Sequence, residues 1–467
     1  MTELLEQRVR ETCRLKAATV ECSDDAYARI TGRVRRPRWW ELSWARAAAA
    51  GLAAGVAIAT LGPAVVDTLR PGPDVLFTEP GREAVAPAPQ PTSADEGPRV
   101  FSEPAPGVDV DELTWTRVAD AEVLAAGEFT EMSDISRTAA GFVAVGSTSD
   151  PALSPAGTRG AFWRSRDGRE WECLDCGVDP RGIVEVLAVH PLGETGFVAV
   201  GQAHDAEEPS VPFAWVSEDG SSIAPIELPG SGIVRAVTFT GQRWVAVGEE
   251  GESRAAAVWT SADARDWQLQ SLGGDGVEGV ADHVAAADGR VVALARDGVH
   301  VSTDGGARWT FTPAGDAGLG DATAFEDLIA APDGGFFLAS VGQEQGPRLF
   351  RSVDGSSWEP VAEIAPALDG NASRVNQLLV TADGGLVAVG SGPNDAGGRS
   401  GAAWASTDAG QTWAPFETAA FAPGFGPQAV VERDGGLVAV GSAEDADLGS
   451  VAAVWLATPP APGSLNG

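Results

Sequence analysis

Lysine and tyrosine are almost missing from this chain of 467 residues: Lys16 and Tyr27 are its only examples, beside four cysteines, four histidines and two methionines. Every basic residue after Lys16 is arginine, and nothing after Tyr27 carries a phenol. No histidine precedes His190, so a His-plus-Cys zinc site is excluded from the first part of the chain. Positive charge is scarce in the chain as a whole, with 32 Lys+Arg against 66 Asp+Glu and a net charge of −34. Up to residue 70 the count is 11 against 8; beyond it the count is 21 against 58, a net of −37. Such a surface repels phosphate backbones and anionic lipid heads, so nucleic acid is excluded as a partner.

What is abundant is one short pattern. FVAVG or a close variant starts at Phe142, Phe197, Trp244, Val291, Phe336, Leu386 and Leu437, seven copies about 45 to 55 residues apart. That period suits a four-stranded sheet repeated around a propeller axis. One unit reads as strand a from Ile233, b from Arg243, c from Ala255 and d from Asp266. Alternation with period two puts Val245 and Val247 opposite Trp244 and Ala246.

Between the third and fourth strands comes a Ser-x-Asp turn, usually closed by Trp. It reads SRDGREW from Ser165, SADARDW from Ser261, STDGGARW from Ser302, SVDGSSW from Ser352 and STDAGQTW from Ser406; SEDGSSI from Ser217 places Ile223 where Trp is expected. The turn works as a hairpin clasp in which Asp and Ser accept backbone N–H groups and Trp packs the returning strand. Asp167, Asp219, Asp263, Asp304, Asp354 and Asp408 are therefore expected to be structural, not catalytic. The turns resemble Asp-box, or BNR, repeats, found in sialidases, xyloglucan-cleaving glycoside hydrolases, sortilin-type receptors and photosystem II assembly factors. The resemblance covers residues 113–457 and suits an all-β propeller, and the seven copies of the FVAVG pattern make it seven-bladed, one more than the six blades of sialidases. The last unit lacks a strand d, and TWTRVAD from Thr114 resembles the other d strands, so Trp115 and Val118 are expected to edge the final blade and close the ring. Sialidases of this group use a tyrosine nucleophile, which no residue of the propeller supplies; sialidase chemistry is disfavoured.

Upstream the composition changes three times. Residues 1–46 read as a polar, partly helical cytoplasmic segment, with Leu5, Val9 and Cys13 at helical spacing. Residues 47–66 carry no charge and are long enough to cross a bilayer as an uncleaved helix, with Arg33, Arg35, Arg36, Arg38 and Arg46 and three tryptophans before it. This predicts a single-pass membrane protein with its N-terminus inside and the propeller outside. Residues 67–112 form a Pro/Ala-rich linker, 113–457 the propeller and 458–467 a tail. Outside the cytoplasm a local disulfide between Cys173 and Cys176 is expected, since a lone CxxC lacks two further ligands for zinc.

The b-to-c loops share the face opposite the clasps and are rich in acid. Asp150, Asp205, Glu207, Glu208, Glu249, Glu250, Glu252, Glu344, Asp395, Glu444, Asp445 and Asp447 are the candidate ligand-binding residues, forming a negative rim. Such a rim suits a cationic protein partner or Ca²⁺, although no loop matches a calcium-binding pattern, and neither a resident metal nor another cofactor is otherwise expected. Three functions follow: a surface module that binds or scaffolds a protein or glycan, a sensor signalling through residues 1–46, or a glycoside hydrolase using two carboxylates.

Overall fold

The computed structural model describes residues 110–118, 129–149, 158–175, 182–204, 209–272, 279–320, 322–342, 346–365, 373–394, 398–416, 418–421, 426–445 and 449–459. All lie in the second of the chain's two compact units, Arg99–Gly467. Five antiparallel sheets of four strands stand alone as blades. They comprise β6 to β9 (Ile183–Leu192, Gly196–His204, Val211–Ser217, Ala224–Glu227) and β10 to β13 (Gly232–Phe239, Trp244–Glu250, Ala255–Ser261, Trp267–Ser271). Next come β14 to β17 (Ala281–Ala287, Arg290–Ala295, Gly298–Ser302, Thr310–Pro313) and β18 to β21 (Ala322–Ala330, Phe336–Gly342, Pro347–Ser352, Glu359–Glu363). The fifth blade is β22 to β25 (Arg374–Val380, Leu386–Pro393, Arg399–Ser406, Ala414–Pro415).

The remaining strands are β1 (Thr114–Arg117), β2 to β5 (Phe129–Thr138, Gly141–Ser149, Thr158–Ser165, Trp171–Asp175) and β26 to β28 (Pro427–Arg433, Gly436–Asp445, Gly449–Thr458). They form one eight-stranded sheet in the order β26-β27-β28-β2-β3-β4-β5, with β1 also on β28. The expectation of seven equal blades is thereby corrected to five blades and one larger sheet. Its cause is one contact distant in sequence: β27 and β28 are ten residues long, and the start of β28 reaches β2 through one parallel bridge, Phe129 to Ser450. On its other edge β28 takes β1 antiparallel, Trp115 opposite Ala457, and Val118 N donates to Val454 O at 2.9 Å. The innermost strands β2, β6, β10, β14, β18, β22 and β26 contact one another in that order, and β26 returns to β2.

Among the described residues the only helical element is a 3-10 turn, Val110–Glu112, and no helix is long and apolar enough to cross a membrane. The stretches 1–46 and 47–66 lie outside the described residues.

Each FVAVG strand is buried on both faces, which is why the pattern is apolar at every position. Trp244 and Ala246 pack with Val198 and Val200 of β7, whereas Val245 and Val247 pack with Val291 and Ala293 of β15. Burying one such Val or Phe side chain contributes about 1.5–3 kcal/mol before entropy is counted. The final Gly has a steric reason: a Cβ on Gly248 would lie 1.9 Å from the Ile233 carbonyl oxygen, where β10 bulges between Val234 and Ala236.

Candidate functional site

The two faces of the ring differ in what their carboxylates are doing. On the clasp face each Asp is used inside its own turn. Asp354 Oδ1 accepts from Ser356 N at 2.8 Å and Ser357 N at 3.0 Å, while the buried Ser352 Oγ accepts from Gly355 N at 2.8 Å. Trp358 Nε1 then donates to Gly355 O at 3.0 Å. The carboxylate and Trp bonds recur at Asp167 with Trp171, Asp263 with Trp267 and Asp304 with Trp309, and Ser165 and Ser302 accept the matching glycine N–H, each at 2.8 Å. Asp408 takes the N–H of Thr412 at 2.9 Å, and Asp219 takes those of Ser221 and Ser222 at 2.8 and 2.7 Å. The Ser222 and Ser221 donors hold the Asp219 carboxyl well below the usual carboxylate range, and the hydroxyl and N–H of Thr412 do the same for Asp408. Anions bonded this way have little left to offer a ligand.

Nearer the axis, the innermost strands carry half-buried or buried acids and amides that tie one strand to the next. Asp134 accepts from Ile135 N and Val189 N, both at 2.8 Å, the second on β6. Asp327 takes Leu378 N of β22 at 2.7 Å, and Gln377 takes Val430 N of β26 at 2.5 Å. These bonds span neighbouring sheets where no ladder can. Burial pushes the Asp134 carboxyl up to about 7, against the pull of the two N–H groups. Burial also raises Asp327, partly offset by His283, whose Nδ1 lies 3.8 Å from Asp327 Oδ1. Glu326 is raised to about 7 by burial; its Oε2 accepts from Val375 N at 3.1 Å, while its Oε1 has no hydrogen-bond partner.

On the loop face, Glu249, Glu250 and Glu252 share the β11–β12 hairpin but not one environment. Glu249 is only 5% exposed, held by Arg254 Nε at 2.8 Å and Arg235 Nη2 at 3.7 Å. Glu250 is half-buried, whereas Glu252 and, at the end of β27, Glu444 are exposed. Asp445 closes β27. Asp150, Asp205, Glu207, Glu208, Glu344, Asp395 and Asp447 lie outside the described residues, as does Cys176; Cys173 is disulfide-bonded. Among the described residues no group of three or more His, Cys, Asp or Glu is placed to hold a metal ion.

One feature of this face is absent from the sequence-based candidates. Two residues, Arg296 and Asp297, separate β15 from β16, the shortest of the loop-face hairpins. Beside this low point lies a cavity of about 70 Å³ between β14–β15 and β18, lined by Asp282, His283, Leu294, Arg296, Ala322, Ala324 and Phe325. ARDG at Ala295 reads as a tight turn in the sequence, but only the neighbouring β18 turns it into a wall.

A ring of sheets with one tied face and one open, irregular face is a β-propeller. The model of the DUF6242 beta propeller domain matches residues 213–455, more than half of the chain, and the chain belongs to that family. No curated protein matches it. Among solved structures it is similar to the Trypanosoma rangeli sialidase in complex with sialic acid, with a TM-score of 0.41, 11% identity and coverage of 74% of this chain and 59% of that one. A protein of unknown function from Dyadobacter fermentans gives a TM-score of 0.42 at 15% identity, covering 74% and 99%. A putative exo-beta-1,3-galactanase from Bifidobacterium bifidum gives 0.32 at 15%, covering 50% and 92%. The chain thus spans 59% of the length of the sialidase. At these identities and scores no activity or substrate carries over.

Proposed function

We propose that this propeller is a binding or scaffolding module whose loop face meets a protein or glycan partner. The observation that supports it is the division of labour between carboxylates: those of the clasp face are bonded within their own turns, while Glu252 and Glu444 stand exposed on hairpins of unequal length. A rigid ring that varies only in its loops is suited to presenting contacts. We read the clasps as Asp boxes and place the domain outside the cytoplasm, where the disulfide at Cys173 is stable and the acidic surface is soluble. The test is affinity capture with the full chain against extracts of its own cell envelope. Glu252→Lys with Glu444→Lys should abolish recovery of a partner that Ser356→Lys, on the clasp face, leaves unchanged. Equal recovery by both variants counts against the loop face.

A hydrolase is the second reading, favoured by Glu326, whose acid is held near neutrality as a proton donor requires. Glycan turnover by the purified chain, lost in Glu326→Gln, would install it; turnover unaffected by that change would exclude this role.

A further inference from the structure

The low hairpin at Arg296 opens a notch in the loop face, lined by His283, which faces Asp327, by Asp282, which uses one carboxylate oxygen on Arg235, and by Arg296. Among the described residues the Arg296 guanidinium makes no ion pair or hydrogen bond; only its backbone N–H is engaged, with Val280 O at 3.3 Å. Across the cavity stands Asp282, 47% exposed, whose Oδ1 faces Arg235 Nε at 3.2 Å and whose Oδ2 has no partner among the described residues. Half-buried Phe325 and the edge of the almost fully covered Leu294 supply apolar lining. A cation, an anion and a small apolar surface therefore line one cavity of about 70 Å³.

We propose that this notch binds a free α-amino acid. The fork of Arg296 fits a carboxylate with two parallel N–H donors, Asp282 fits an ammonium, and a short aliphatic side chain covers Phe325. Size and field select the same class. A cavity of about 70 Å³ takes a short side chain only, with the ammonium and carboxylate at the mouth where Asp282 and Arg296 are exposed, and it excludes drug-sized or oligomeric ligands, which need roughly 300 Å³ or more. A net charge of −37 beyond residue 70 repels anions, whereas a zwitterion approaches without that penalty. The proposal rests on the reading of the loop face as the binding face, and it adds a small ligand to that face.

Calorimetric titration of the purified full chain with L-leucine, L-valine and L-alanine tests it, with 4-methylpentanoate and isoamylamine as analogues of leucine lacking one charge each. At least one amino acid should bind saturably, and for leucine both analogues should bind tenfold more weakly or worse. Arg296→Gln should weaken amino-acid binding at least tenfold, with Arg296→Lys intermediate because charge survives without the fork. Asp282→Asn should weaken leucine while leaving or improving 4-methylpentanoate. Unchanged melting temperatures of all three variants show that the fold persists. Absence of saturable heat with all three amino acids, or binding indifferent to Arg296→Gln and Asp282→Asn, overturns the proposal. Partner capture by the Arg296 and Asp282 variants separates the two ideas: capture retained with no amino-acid binding sinks only the notch, and amino-acid binding with capture indifferent to Glu252 and Glu444 sinks only the rim.

Discussion

Lowering the pH from 8 to 5.5 should stabilise this domain, the opposite of ordinary acid titration, and Asp134 is the residue through which to show it. Its carboxyl moves from 3.8 in the unfolded chain to about 7 when buried. At roughly 1.4 kcal/mol per unit, keeping it ionised in the folded state costs about 4 kcal/mol above pH 7. The folded pKa is the higher one, so the folded state takes up the proton first. The cost is complete above about 7, shrinks as pH falls, and vanishes below 3.8. Between pH 8 and 5.5 Asp134 alone should return about 2 kcal/mol. Glu326, also raised to about 7, acts in the same direction, as does Asp327, whereas burial holds the His190 and His300 imidazoles low and these two act against it. The assay is urea unfolding across that range, read as ΔG at constant m. Asp134→Asn removes the titration, so its ΔG should vary by about 2 kcal/mol less than the wild type over the same interval. The variant should also be the less stable of the two at pH 5.5, because one amide oxygen cannot accept fully from both Ile135 N and Val189 N. A wild type that gains stability from pH 5.5 to 8, or a variant with undiminished pH dependence, refutes the reasoning.

The closing strand and the clasps supply two further expectations. Trp115 is 3% exposed and packs against Phe416 and Phe421 with ring centroids 5.9 and 5.5 Å apart, so Trp115→Ala should cost about 3–5 kcal/mol by thermal or urea unfolding. A loss well under 1 kcal/mol would detach β1 from the stability of the ring. Ser352→Ala leaves the buried Gly355 N–H without its acceptor and should cost about 1–3 kcal/mol in the same assay; no loss would mean that the clasp is dispensable.

Much of the architecture was legible because it repeats. The alternation that sends Val245 and Val247 to one neighbour and Trp244 and Ala246 to the other follows from strand periodicity alone. The clasp turns were legible because each needs the same donors at the same spacing, and Trp115 because its segment reads like the outer strands. What failed were facts that depend on a single distant contact. The eight-stranded sheet arises from one bridge between Phe129 and Ser450, and no local pattern announces it. Glu249 reads as one more loop acid, yet Arg235 on β10 and Arg254 across the hairpin draw it inward. Asp134 and Asp327 look like surface acids in a strand, and only the adjoining innermost strand makes them internal fasteners. The notch combines a short turn with the wall of another sheet, so neither half is conspicuous alone.

The most direct measurement of the central claim, that the loop face does the binding, is hydrogen exchange of the full chain with and without its captured partner. Protection should fall on the β11–β12, β15–β16 and β27–β28 hairpins and leave the turns at Ser165, Ser261, Ser302, Ser352 and Ser406 exchanging as before. Protection confined to those serine turns, with the hairpins unaffected, would contradict the account.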